Sequence, residues 1–335
     1  MSGGLTNLVA VAACGAVVAV AEAVTVPLLR RAAIIDVPCD RSSHTIPTPR
    51  GGGVPVAAGL LVASGLIGGA DAAVFGFAVA AFGLLGLAED LHGLPPWRRL
   101  IWQAASSAVV AMVLLSGLAG STVRVALLAG LCLVWITGFV NAFNFMDGVN
   151  GISGVHALIA GVAYAILGWW RHDGFMVPAG FAVAIGALAF LPWNAGRARV
   201  FLGDAGSYAL GAALATLAAY AVLHGIPAEA ALGPLALYLA DTAWTLQRRI
   251  RAGEPWLEPH RTHVYQKWCD AGWSHQRVTV TAAAITVLLS LLGAASLAGD
   301  PAVRAAADLA GAGVLLTYLR SPALLARRSL QTDAC

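Results

Sequence analysis

Eleven apolar windows run along this chain, at roughly 5–29, 53–69, 72–88, 100–118, 123–140, 152–170, 175–193, 205–223, 228–246, 278–298 and 302–319. Each is about 17 to 25 residues long, the length at which an α-helix crosses the hydrocarbon core of a bilayer. No water is available there to satisfy backbone groups, so such segments fold as helices that close their own hydrogen bonds. Gly, Pro or a charge interrupts the pattern between windows. The divisions within 53–88, split by Gly68-Gly69-Ala70-Asp71, and between the last two windows are the least marked, so ten spans also fit. Composition agrees: 59% of the 335 residues are hydrophobic and 11% are charged, against about 25% charged in a soluble domain. The expected fold is all-α, one integral membrane domain over 1–335 with about eleven transmembrane helices. The Gly- and Ala-rich windows suit helices packed closely in lipid.

Seventeen of the twenty Lys and Arg residues fall in loops on one side of this arrangement; Arg124, Arg171 and Arg304 fall on the other. The positive-inside rule makes the basic side cytoplasmic, with the N-terminus outside and the C-terminus inside. The first window has no Lys or Arg before it, is longer than a signal-peptide core, and is followed by Arg30 and Arg31, so it reads as a retained helix. The inner loops 30–52, 89–99, 141–151, 194–204 and 247–277 are long and polar, whereas the outer loops are short. Function is expected on the inner face. The net charge of +3 follows topology rather than a stripe for nucleic acid. Cys14, Cys39, Cys132, Cys269 and Cys335 show no CxxC spacing, which argues against a disulfide framework or a zinc ribbon.

Five segments carry the polar chemistry. The first loop holds Asp36, Arg41, His44 and the run Pro47-Thr48-Pro49-Arg50-Gly51-Gly52-Gly53. Its Pro and Gly favour an ordered turn whose free N–H groups could bind an anion; a plain basic flank of the membrane is the alternative. The second holds the adjacent acids Glu89 and Asp90, then Arg99. Paired acids at a helix exit bind a cation or shift one another's pKa, or simply face water. The third, Asn141-Ala-Phe-Asn144-Phe-Met-Asp147-Gly148-Val-Asn150-Gly151, places Asn141, Asn144 and Asp147 on one helical face. Burying such groups without partners is costly, so a ligand or metal is favoured over a helix cap. In the fourth, Phe201-Leu-Gly-Asp204-Ala-Gly-Ser207, Asp204 opens a helix among small residues, with room for a cation and a phosphate; an N-cap is the alternative. The fifth, His260-Arg261-Thr-His263-Val-Tyr265-Gln266-Lys267, suits an anionic diphosphate better than zinc, for which no further ligands stand at suitable spacing. Together these oxygen-rich groups and basic loops suit Mg²⁺ and phosphoryl transfer at a membrane surface.

In order and on one face, the five segments resemble the polyprenyl-phosphate N-acetylhexosamine-1-phosphate transferases, over residues 36 to 267. That superfamily includes the peptidoglycan phospho-MurNAc-pentapeptide translocase and the enzymes that start O-antigen synthesis. The His260–Lys267 loop looks most like the small O-antigen-initiating branch and lacks the triple-His loop of the peptidoglycan enzyme. The resemblance implies that Asp204 and Asn144 hold Mg²⁺ and that Gly148, Asn150 and Phe201 frame the uridine. It implies that Arg99, Arg261, His260 and His263 contact the diphosphate and sugar, that Asp90 activates or places the lipid phosphate, and that Asp147 supports the site. Arg41 and His44 would help close the groove. Two positions depart from the usual pattern: Glu89 replaces the first acid of an Asp-Asp pair, and Asn150 replaces the second acid of Asp-Gly-x-Asp-Gly. The implied partners are a UDP-N-acetylhexosamine, undecaprenyl phosphate and the bilayer of the inner membrane; relatives are often dimers, which leaves a homodimer open.

Two rival readings start from the same residues. A secondary transporter fits eleven helices, and Glu22, Asp241 and Asp308 lie inside windows. Yet no repeat is visible, the motifs cluster at helix ends, and Asp241 is expected to pair with Arg248 or Arg249. An intramembrane aspartyl protease needs Gly-x-Gly-Asp, and Phe201 stands in its first position.

Overall fold

The computed structural model describes residues 2–38, 46–118, 120–255 and 260–332. Arg41, His44 and Cys39 lie outside the described residues. Helices form at every apolar window: α1 (Ser2–Arg31), α2 (Gly53–Ile67), α3 (Gly69–His92), α4 (Pro96–Leu114), α5 (Thr122–Met146), α6 (Ile152–Trp170), α7 (Met176–Asn194) and α8 (Gly203–Leu223). They continue as α9 (Ala228–Leu232), α10 (Ala236–Arg251), α11 (Val264–Asp270), α12 (His275–Ala294) and α13 (Pro301–Thr332). A two-stranded antiparallel pair, β1 (Ile35–Asp36) and β2 (Thr48–Pro49), folds the first loop back beside α1.

The chain is a predominantly helical polytopic membrane protein. Eight of the described helices are long and apolar enough to cross a bilayer. α2 has the apolarity but only 15 residues, and α4 carries Arg98, Arg99 and Gln103 in its first half. The window at 228–246 is not one helix. Gly233 and Pro234 divide α9 from α10 through a short 3-10 turn, because proline offers no N–H to the ladder and crowds the preceding turn.

α8 is the central post. From Gly203 to Ala221 every residue except Asp204 is buried. Its Ala and Gly residues let neighbours approach to backbone distance: a Cβ on Gly86 of α3 would lie 2.1 Å from the Asp204 carbonyl oxygen. α6 and α7 meet in the same way, since a Cβ on Gly161 would lie 2.7 Å from Gly180 O. In lipid, where hydrophobicity does not drive association, close backbone packing of this kind holds helices together.

The alternation of helices gathers the five polar segments at one end of the bundle. There β2 leads into Arg50, which bridges to Phe201, and Asn150 donates from Nδ2 to Gly196 O at 2.7 Å. The opposite end is closed by other residues: Tyr220 donates to Asp173 at 3.0 Å, and Arg304 pairs with Glu229.

Candidate active site

Asp90, in the last turn of α3, reaches the N-terminus of α8. Its Oδ1 accepts the Asp204 N–H at 3.0 Å and its Oδ2 the Ala205 N–H at 2.9 Å. Helix starts leave N–H groups without internal partners and carry the positive end of the dipole, so a carboxylate is stabilised there. The approach requires Gly203, which has φ +71° and where a Cβ would lie 2.7 Å from Asp90 Oδ2. Arg50 then bridges two acids, with Nε 2.7 Å from Asp90 Oδ1 and Nη2 3.0 Å from Asp204 Oδ1. Burial works against the charge of Arg50, but Asp204 and Asp90 outweigh it and raise its pKa.

Asn144, in the last turn of α5, donates from Nδ2 to Asp204 Oδ1 at 2.8 Å and to Ser207 Oγ at 2.9 Å. Asp147 is the C-cap of that helix. Burial pushes its carboxyl up to about 7; Asp204 and Asp90 add to the rise and Arg50 opposes it. Asp204, Asn144, Asp147 and Arg50 line a cavity of about 290 Å³, together with Gly148, Asn150 and Phe201. Asn141 departs from the expected shared face: its Nδ2 donates to Gln103 Oε1 at 2.7 Å and to Thr137 O, toward α4.

Asp36, Asn194, Gln266 and His275 also line the cavity. Asn194 accepts the Gly151 N–H at 2.8 Å and donates to Val200 O at 3.0 Å, tying the third segment to the fourth. Its signal in the sequence is the one that marks Asn144, an amide closing an apolar span.

Other expected residues fall outside the cavity lining. Glu89 accepts from Arg99 at 3.1 Å and from the Leu94 N–H at 2.6 Å, so both side chains are spent on the turn between α3 and α4. Arg261 pairs with Asp270 at 3.0 Å. His263 is buried, with Nδ1 3.0 Å from Asp241 Oδ1. Burial, then the charges of His263, Arg249 and Arg248, push His260 down to about 4, so it is neutral near pH 7. The expected pairing of Asp241 with Arg248 or Arg249 does not form. Arg248 donates to Thr262 O and Arg249 pairs with Glu254, because the loop after α10 folds back over both.

Among the described residues no group of three or more His, Cys, Asp or Glu side chains could hold a metal. The donors at hand are hard oxygens, the Asp204 and Asp147 carboxylates and the Asn144 amide. Such a set fits Mg²⁺, which keeps several waters and shares its shell with phosphates, better than zinc or a calcium cage.

The family described as glycosyl transferase family 4 matches residues 72–222, a stretch that holds Asp90, Asn144 and Asp204. The chain is 31% identical over 299 residues to the decaprenyl-phosphate N-acetylglucosaminephosphotransferase of Mycobacterium leprae, covering 76% of this chain and 74% of that protein. It is 25% identical over 272 residues to the "probable undecaprenyl-phosphate N-acetylglucosaminyl 1-phosphate transferase" of Bacillus subtilis, with 75% of each chain covered. It is 30% identical over 165 residues to the phospho-N-acetylmuramoyl-pentapeptide-transferase of Streptococcus thermophilus, covering 44% of this chain and 48% of that protein.

Proposed function

The chain belongs to the polyprenyl-phosphate N-acetylhexosamine-1-phosphate transferases, within glycosyl transferase family 4, and we propose that it moves N-acetylhexosamine 1-phosphate from a UDP-sugar to undecaprenyl phosphate. An oxygen of the lipid phosphate attacks the sugar-bearing phosphorus. The bond from that phosphorus to the bridging oxygen breaks, and UMP leaves with its electrons. The product is a polyprenyl diphosphate sugar. The observation that carries this reading is the hydrogen bond of Asn144 to Asp204, 60 residues apart in sequence, beside a cavity lined by Arg50 and Asp147.

Asp204 and Asn144 would hold Mg²⁺, with Asp147 beside them. When bound, the ion neutralises charge on the diphosphate and on departing UMP. Arg50 adds a fixed positive charge at the same place. Gly148, Asn150 and Phe201 frame the uridine, and Asn194 keeps their two segments in register. Both oxygens of Asp90 are engaged by the start of α8 and by Arg50, which leaves it poorly suited to act as a nucleophile. Direct attack by the already anionic lipid phosphate follows, with Asp90 placing groups rather than carrying phosphate. A labelled phospho-enzyme trapped without lipid would overturn that step.

The basic end of the bundle faces the cytoplasm in this reading, where UDP-sugars are made, and the membrane is the inner one. Names of the relatives favour N-acetylglucosamine as the sugar. The product starts a cell-envelope polysaccharide, with an O-antigen as one such polymer. The test is UMP release from a panel of UDP-sugars with polyprenyl phosphate. Release should require the lipid, favour one N-acetylhexosamine and stop with chelator; lipid-independent release would count against the reading.

A further inference from the structure

Asp241 lies outside the cavity, fully buried in α10. Its Oδ1 accepts from Thr245 Oγ1 at 3.1 Å, from His263 Nδ1 at 3.0 Å and from the Val264 N–H at 3.1 Å. Its Oδ2 shares the Val264 N–H at 3.1 Å and accepts the Tyr318 hydroxyl of α13 at 2.5 Å. A buried carboxylate is costly unless donors surround it. Here the donors come from three separate elements, and the transfer chemistry above uses none of them.

What they hold is the start of α11. Seven residues are too few for a helix to stand alone, so α11 depends on its anchors. It is also the brace of the α5 terminus. Tyr265 donates its hydroxyl hydrogen to Phe145 O at 3.0 Å, and a Cβ on Gly148 would lie 2.1 Å from that hydroxyl oxygen. Gln266 reaches the cavity lining. Phe145 follows Asn144 and Gly148 follows Asp147, so α11 touches the turn at the residue just after each of the two polar residues.

We propose that Asp241 is a positioning residue of the active site: its carboxylate pins the start of α11, and α11, through Tyr265 and Gln266, holds the Phe145–Gly148 turn that carries Asn144 and Asp147. The kinetic half of the test rests on the proposed transfer reaction; the structural half does not. An Asp241→Asn variant turns one acceptor into an NH₂ group facing donors. In the full chain in detergent, amide hydrogen exchange should quicken about tenfold both in 263–270 and in 145–151. UMP release per folded molecule should fall roughly 10- to 100-fold, the range seen when groups supporting a site are removed. Tyr265→Phe should cost less in the Asp241→Asn background than in the wild type, because both act through one contact. Should Asp241→Asn fail to fold, Tyr318→Phe removes one donor, keeps the carboxylate and should give the same pattern more weakly. Faster exchange confined to 263–270, or additive losses for Asp241→Asn and Tyr265→Phe, would overturn the proposal. A wild type that releases no UMP from any UDP-sugar sinks the transfer reading instead, and the exchange result still decides the positioning.

Discussion

Asp204 spends its two oxygens differently. Oδ1 is shared by Asn144 and Arg50, while Oδ2 takes no hydrogen bond from the described residues. Oδ2 is therefore the atom that would meet the proposed cation. Asp204→Asn keeps the side-chain shape and loses the charge; UMP release per folded molecule should fall about 100- to 1000-fold, the cost of removing one preorganised electrostatic contact. Turnover near the wild-type level would contradict the assignment. Asp147 gives a second prediction. Its carboxyl, raised to about 7 by burial, holds a proton below that pH in the folded protein. A divalent cation nearby favours the ionised form, so binding should release a proton into solvent at pH 6 and almost none at pH 8. Calorimetry of Mg²⁺ binding in two buffers of different ionisation heat reads this directly. Asp147→Asn should abolish the buffer dependence, and a release that persists in that variant would assign the proton elsewhere. At this scale, Asn144 and Asp204 are legible in the sequence because polar residues beside apolar spans demand partners. Gln266 and His275 are not, because a single amide or imidazole at a helix end is common and only the fold shows that it meets a cavity. His263 is misleading for a related reason: spacing cannot distinguish a histidine facing substrate from one turned inward to a buried acid.

Helices α3 and α8 meet where the acids meet. A Cβ on Gly86 would collide with the Asp204 carbonyl, whereas one on Gly83 would make ordinary contact at 3.5 Å with Ala209 and Ala57. Gly86→Ala should therefore push α3 away, lower stability by about 1 to 3 kcal/mol as overpacking does, and reduce UMP release by displacing Asp90 one turn on. Gly83→Ala should be neutral or stabilise slightly, since alanine favours helix over glycine. Thermal melting of both variants in detergent checks the pair; equal effects would refute the close approach. The apolar windows locate the helices well, because period and length follow from lipid thickness. They hide the break at Gly233–Pro234, as a Gly-Pro pair within an otherwise apolar run does not lower its hydropathy enough to divide it. They also hide α11, because seven residues carry no periodic signal.

At the scale of the molecule, one end carries Arg50, Asp90, Asn144 and Asp204, and the other carries Asp173, Tyr220 and Glu229. The charge distribution predicts that the first end faces the cytoplasm. With the native cysteines replaced, a membrane-impermeant maleimide should label Asp300→Cys in spheroplasts and leave Gln276→Cys untouched, with the reverse in inverted vesicles. The opposite labelling would place the site outside. Sorting by loop charge is legible in the sequence, since it depends only on which windows are helices. The meeting of segments 60 and 114 residues apart is not, since it depends on how those helices pack. Which group is transferred is read most directly by following the β-phosphate. With UDP-N-acetylglucosamine labelled at that phosphorus, lipid acceptor and Mg²⁺, the wild type should carry the label into the lipid fraction and leave unlabelled UMP, and Asp204→Asn should leave the label in the nucleotide. Label recovered as UDP beside a sugar-bearing lipid would mean that only the sugar moves, and the site around Asp204 would not be a phosphate-transfer centre.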